Sequence, residues 1–320
     1  MTRTMADELF DRSPLLTLMT ASRVTVYSII ATVMATLVLA LGLLSVFVGY
    51  FLPPESMMFL SSVLTLALVL TFLSAPLGRH RWTDPLDWRF AIDLALILAA
   101  IGARIYIGID IDEFQSRWGL PSDWDVVVGT IVIVLVLEAT RRVVSWVLTL
   151  VVAVFVLYPI VAAWLPGPLA GPPMDWRFMV SLEFMQSHGI FGLPLNVISS
   201  YVVLFIIFGS VLQRCGGGAF FINLALAATG AQTGGPAKAS VIASALFGTI
   251  SGSAVANVMV DGWLTIPLMR RVGYAPHYAA GVEAVASTGG QIMPPVMGVA
   301  AFLIAEFLAI PYSEVALAAA

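Results

Sequence analysis

Long apolar runs separated by short polar turns dominate this chain, at residues 24–51, 57–78, 89–109, 124–140, 143–164 and 194–213. Each is near the ~20 apolar residues that a helix needs to cross the hydrocarbon of a bilayer. The pattern predicts five spans, then a sixth beyond a break. The run at 124–140 is the weakest of them, being short and ending on Glu138. The break at 165–175 is rich in proline and glycine, which is the composition of a domain boundary. Residues 175–188 then mix apolar and polar positions at helical spacing, as in a helix lying at the outer membrane surface. Within 216–237 the apolar core, 220–229, is too short to cross alone, and predicts a surface helix or a half-buried arm.

Two later segments are apolar but interrupted. Residues 239–269 are broken by Ser251-Gly252-Ser253, with Lys238 before them and Arg270 and Arg271 after. Basic residues at both ends place both ends on the cytoplasmic side. Each arm then holds ~11 to 15 residues, about 16 to 23 Å of helix, which is short of a span. The expectation is a re-entrant helical hairpin with its tip near mid-membrane, where non-helical backbone survives only inside protein or against water. The second segment runs helically over 277–287 and resumes over 296–309. Between them Thr288-Gly289-Gly290-Gln291 and Pro294-Pro295 remove amide donors and free the backbone, which predicts a broken helix.

Composition supports the membrane setting: 60% hydrophobic residues and 11% charged. A net charge of −4 carries no signature of nucleic-acid binding. Cys215 is the single cysteine, so no intrachain disulfide forms and no thiolate cluster invites a transition metal. Residues 1–23 are mixed in charge, include Pro14, and precede a run too long for a signal-peptide core. They read as a cytoplasmic tail, and the alternation of basic and acidic turns along the first five spans gives the same orientation.

Oxygen ligands cluster at the two interruptions. Thr249, Ser251, Ser253 and Asn257 stand at the hairpin tip, and Thr288 and Gln291 at the broken helix. Freed carbonyls and helix C-termini attract cations, and helix N-termini attract anions, so the set suits a hard monovalent cation such as Na⁺. Small hydroxyl residues also serve helix packing and often bond the preceding turn, so no single one carries the argument. Among ionisable groups, Glu138 has Arg141 and Arg142 three and four positions on, which predicts an ion pair on one helix face. Glu283 lies two turns before the Gly-Gly break and is a candidate for ion coupling. Glu306 falls near a helix end, and Arg104 is expected to snorkel.

The motifs at 137–142 (LEATRR), 190–197 (IFGLPLNV), 234–240 (GGPAKAS), 248–258 (GTISGSAVANV), 265–269 (TIPLM) and 286–298 (ASTGGQIMPPVMG) resemble the fused permease of tripartite ATP-independent periplasmic (TRAP) transporters. The type served by TAXI binding proteins is the nearest. The resemblance covers most of residues 130–317 and implies a multi-pass protein of the bacterial inner membrane. It implies import of an organic acid, delivered by a periplasmic TAXI-type binding protein and driven by Na⁺ symport without ATP or any cofactor.

By this resemblance residues 24–164 are similar to a small subunit fused in front as a scaffold. Residues 176–320 are similar to the first of two inverted repeats of an elevator-type transport domain. The fold class implied is an all-α integral membrane protein. Ser251, Gly252, Ser253, Asn257, Thr288, Gly289 and Gly290, with Thr249 beside them, become the expected Na⁺ site. Ser253, Asn257, Gln291, Pro294 and Pro295 become the expected substrate-facing positions, the prolines holding the break open. Asp261-Gly262-Trp263 departs from the family, which more often has small hydroxyl residues there. The second repeat is missing, which implies a fragment, a truncated product, or completion by another polypeptide; transport needs both repeats.

Two other classes compete. An intramembrane serine protease needs a serine paired with a buried histidine, whereas His80 and His188 flank spans and His277 follows a polar turn. A channel or a structural membrane scaffold would also use broken helices, and saturable, binding-protein-dependent uptake separates carrier from both.

Overall fold

The computed structural model describes residues 26–51, 57–77, 88–186, 189–295 and 297–320. The expected cytoplasmic tail, the loop at 52–56, the turn holding Arg79 and Arg81, and His188 lie outside these residues. Among them all regular structure is helical, and the chain forms two compact units, residues 1–196 and 197–320. Five helical segments are long and apolar enough to cross a membrane: Ile30–Val48, Met57–Ser74, Trp88–Ile109, Trp146–Trp164 and Leu193–Leu212.

The first unit contains α1 (Val26–Phe51), α2 (Met57–Ser74), α3 (Trp88–Ile109), α4 (Ile111–Ser116), α5 (Asp123–Val143), α6 (Trp146–Val161), α7 (Trp176–Phe184) and most of α8 (Leu193–Val197). The stretch expected to be the weakest span, α5, is a continuous helix at the centre of this unit, touching α2, α3, α6 and α7. It carries too many charges to count among the apolar five, and its neighbours explain why it can. One face, with Gly129, Val132 and Leu135, is buried against those helices while Val127, Ile131 and Val134 stay exposed, and its charged ends find partners within the protein.

At one end Asp125, fully buried, accepts hydrogen bonds from the Tyr106 hydroxyl at 2.7 Å, Arg117 Nε at 3.0 Å and the Ser122 amide at 2.8 Å, so it both caps α5 and ties it to α3. At the other end Glu138 pairs with Arg141 and Arg142, both at 2.7 Å, as the spacing predicts. Arg142 also reaches Asp93 on α3 at 2.6 Å and the Ala75 carbonyl at 3.2 Å, and lies over the Phe72 ring. By contrast α6 leaves Val147, Leu150 and Phe155 exposed, an apolar surface suited to lipid.

Arg104 has a partner in the protein, its Nε donating to Ser62 Oγ at 2.9 Å and crossing from α3 to α2. The segment 175–188 does hold an amphipathic helix, α7, but its apolar face is buried in protein. Val180 and Phe184 pack against α5 where Gly129 leaves no Cβ in their way, and Trp176 Nε1 donates to Thr130 at 3.0 Å. A helical stripe of this kind needs an apolar partner, and a neighbouring helix serves as well as a bilayer. The boundary-like segment 165–175 lies inside this unit.

The second unit continues from α8 through a wide turn (Ile198–Val202) into α9 (Val203–Arg214). It then holds α10 (Gly217–Thr229), α11 (Gly235–Ser251), α12 (Ala254–Arg271), α13 (Pro276–Gly289), a 3-10 turn (Gly290–Ile292), α14 (Val299–Phe307) and α15 (Tyr312–Ala319). The apolar core expected at 220–229 is part of α10, whose Ile222 and Ala225 pack on Ala239 and Ala243 of α11. Helix α11 is the hub, touching α9, α10, α12 and α13. Small residues on its faces let those neighbours come close. Tyr201, Phe302 and Tyr312 stack in series, at 5.6 and 4.4 Å between ring centroids, and fasten α14 to α15 and to the wide turn.

The arms α11 and α12 form the expected antiparallel hairpin but are longer than the apolar pattern indicated. They hold 17 and 18 residues, about 26 Å of helix each at 1.5 Å per residue. Helix begins at Gly235, ahead of Lys238, because Gly234 takes a left-handed conformation and Pro236 occupies the first turn. It runs past the apolar stretch to Arg271. The broken helix is confirmed, with the break starting at Gly290, two residues later than expected.

Candidate functional site

The junction is built from the hairpin tip. Gly252 is left-handed, φ 57°, and its amide closes the last turn of α11 onto the Gly248 carbonyl at 3.1 Å. Ser253 is extended and caps α12, its hydroxyl accepting from the Ala256 amide at 3.3 Å. A two-residue connection thus reverses the chain.

One turn into α12, Asn257 is fully buried. Its Oδ1 accepts the Ser251 hydroxyl, and its Nδ2 donates to the Ser244 carbonyl on α11 at 3.3 Å and the Ser287 carbonyl on α13 at 3.4 Å. Asn257 therefore bonds both arms of the hairpin to the broken helix. Glycine permits the approach: a Cβ on Gly290 would strike the Asn257 amide and the Ser244 carbonyl, and one on Gly248 would strike the Gly290 carbonyl.

Four helix ends meet around this junction. The C-terminal ends of α11 and α13 bring partial negative charge, and the N-terminal ends of α12 and α14 bring partial positive charge. A cavity of about 870 Å³ opens beside them, with Ser251, Gly252, Ser253 and Gln291 on its polar side and Phe205 and Phe302 on its apolar side. Among the described residues its lining includes no basic side chain and one acid, Glu314.

The sequence-derived residues divide into two groups. Ser251, Gly252, Ser253, Asn257 and Gly290 converge at the junction, and Gly289 immediately precedes it. Thr249 and Thr288 do not join by their side chains: each hydroxyl bonds a carbonyl of its own helix, Leu246 at 2.6 Å and Ala284 at 2.7 Å. Pro294 and Pro295 lie in the turn before α14, joined by a cis bond, and the Pro295 carbonyl accepts the Tyr312 hydroxyl at 2.8 Å. Glu306 is exposed. Because Thr288 is exposed and self-bonded, Thr288→Ala should leave thermal stability within ~0.5 kcal/mol of the parent, as measured by unfolding in detergent.

Sequence reasoning singled out Glu283 but missed the buried polar group around it, which extends up to three turns from the tip. Glu283 is fully buried and accepts the Ser240 hydroxyl at 2.7 Å, the Ser287 hydroxyl at 3.2 Å and the Thr265 hydroxyl. Ser244 bridges it to Asp261, lying 3.2 Å from Asp261 Oδ2 and 3.5 Å from Glu283 Oε1. The available signal was spacing. Ser240 and Ser244, Asp261 and Thr265, and Glu283 and Ser287 each stand four apart, so each helix turns one polar stripe inward.

An all-helical fold with five apolar segments of spanning length makes this a polytopic membrane protein. The profile of the tripartite ATP-independent periplasmic transporter family, DctM component, matches residues 131–320, more than half the sequence, and the chain belongs to that family. It is 30% identical over 151 residues to the uncharacterized protein YgiK of Salmonella typhimurium, covering 47% of this chain and 34% of that protein. It is 31% identical over 123 residues to the isethionate TRAP transporter permease protein DctMQ of Oleidesulfovibrio alaskensis, covering 38% and 18%. To the C4-dicarboxylate TRAP transporter large permease protein DctM of Rhodobacter capsulatus it is 36% identical over 94 residues, covering 29% and 21%. The chain thus spans about a fifth to a third of the length of these relatives. No solved structure matches it.

Proposed function

We propose that this chain forms the membrane-embedded part of a secondary transporter that takes an organic acid from a periplasmic binding protein and imports it with Na⁺. The observation that carries the reading is the junction itself, where two helices end and two begin beside a cavity, at glycines that admit no side chain. Converging helix C-termini and the hydroxyls of Ser251 and Ser253 suit a monovalent cation, and Gly289 and Gly290 add backbone carbonyls. The N-terminal ends of α12 and α14 suit the carboxylate of a substrate, which matters in a cavity with no basic lining residue. Two relatives are named for isethionate and C4-dicarboxylates, both organic anions.

In this reading the hairpin is re-entrant, with Lys238, Arg270 and Arg271 at the cytoplasmic face of a bacterial inner membrane and the amino terminus on the same side. Residues 24–164 serve as the fused scaffold, and the binding protein is of the TAXI type. A second repeat completes the substrate site.

Asn257→Ala tests the proposal, since it removes the side chain that bonds the hairpin arms to the broken helix. In the complete permease carrying this sequence, reconstituted in liposomes with its binding protein, Na⁺-driven uptake is expected to vanish. Uptake at the parent rate would overturn the assignment.

A further inference from the structure

Asp261 and Glu283 face one another inside the block formed by α11, α12 and α13, both fully buried. Among the described residues no lysine, arginine or histidine pairs with either. Every element packed on the pair confirms the lack of a counter-charge. From α11 it is met by Ser240 and Ser244, from α12 by Thr265, and along α13 by Ser287. Lys238 is exposed and donates to Gln232 at 3.0 Å; Arg270, Arg271, His277 and Tyr278 are exposed too, and α10 carries no ionisable residue. Two carboxylates charged together at such depth would be strongly unfavourable without a cation.

A count of hydrogens points the same way. Each hydroxyl has one to give. Thr265 lies within hydrogen-bond reach of both the Asp261 carbonyl, at 2.9 Å, and Glu283 Oε2, so it can donate to only one of them. The Ser244 hydrogen is shared among Asp261, Glu283 and Ser287. Asp261 Oδ1 is buried and has no partner among the described residues. A hydrogen on Glu283 Oε2 would let it donate to Thr265 while Thr265 donates to the Asp261 carbonyl, and one fewer charge would be buried. Gly262, whose absent Cβ would lie 3.3 Å from Glu283 Cγ, shows how closely the carboxylate is packed. A proton needs no further room and no coordination shell.

We propose that the Asp261–Glu283 pair is a proton-binding site, distinct from the hairpin tip, and that it gains and loses its proton during transport. Binding forms one O–H bond from a carboxylate lone pair and a proton delivered by water, with no redox change. The role in transport rests on the permease reading above; the proton site itself does not.

Infrared difference spectra of the purified complete permease, recorded across pH, read the carbonyl stretch of neutral carboxylic acids without any substrate or binding protein. The parent should show a neutral-carboxyl band that is lost on alkaline titration, and Glu283→Gln and Asp261→Asn should each remove it. Absence of the band in the parent, a band that does not titrate, or one untouched by both substitutions would overturn the site. In liposomes an inward proton gradient should accelerate parent uptake, and Glu283→Gln should abolish that acceleration. Parent uptake indifferent to the gradient would overturn the coupling role. Loss of the permease reading would instead appear in the Asn257→Ala uptake assay, leaving the infrared result to stand by itself.

Discussion

Replacing Gly290 by alanine is expected to lower the melting temperature of the purified protein markedly and, under the proposed function, to abolish uptake. The new methyl would overlap the Asn257 amide and lie 2.8 Å from the Ser244 carbonyl, and neither can retreat. Asn257 is held from three sides, and the Ser244 carbonyl belongs to the backbone of the hub helix. Overpacking at such a point costs about 3 kcal/mol, the upper end of its usual range. Gly248→Ala should act in the same direction, because its methyl would meet the Gly290 carbonyl from the opposite side. Melting followed by size-exclusion chromatography in detergent checks both; parent-like melting would show that the helices can part there without penalty.

Arg142→Ala in the first unit is expected to be equally severe for a different reason. The guanidinium is 4% exposed and holds two acids, Asp93 at 2.6 Å and Glu138 at 2.7 Å. Removing it strands the buried Asp93 carboxylate with, among the described residues, only the Leu77 amide at 3.1 Å still donating to it. Breaking a buried pair by deleting one partner costs roughly 3–5 kcal/mol. Arg142→Lys should recover only part of the loss, because a single ammonium cannot reproduce the fork that reaches Asp93, Glu138 and the Ala75 carbonyl together. Parallel melts of the two variants give the ranking directly.

Much of the architecture could be read from residues 24–213, because a lipid-facing helix must be apolar around most of its surface and long enough to cross. Helix α5 was harder to read for a physical reason: Val127, Ile131 and Val134 stay exposed, but its charged ends and its small-residue face answer to Asp93, Tyr106 and Val180 on other helices. The same competition acts on α7, whose stripe fits a helix surface as well as a membrane surface. At the junction, glycines, prolines and a short polar break located the tip, since few other residues tolerate that backbone. Hydroxyls were less legible: Thr249 and Thr288 look like ligands in sequence and prove to be bonded to their own turns. The inward stripe around Glu283 escaped notice because serine and threonine at four-residue spacing also occur in ordinary close helix packing, and only three helices together show where their hydrogens go.

The three bonds made by Asn257 limit what kind of gate this unit can contain. A flap hinged at Gly252 would have to tear the amide from Ser244 and Ser287 and expose both carbonyls to a dry interior. In the proposed transporter, opening and closing would therefore move the hairpin and the broken helix as one solid piece, with compliance located at its outer seams.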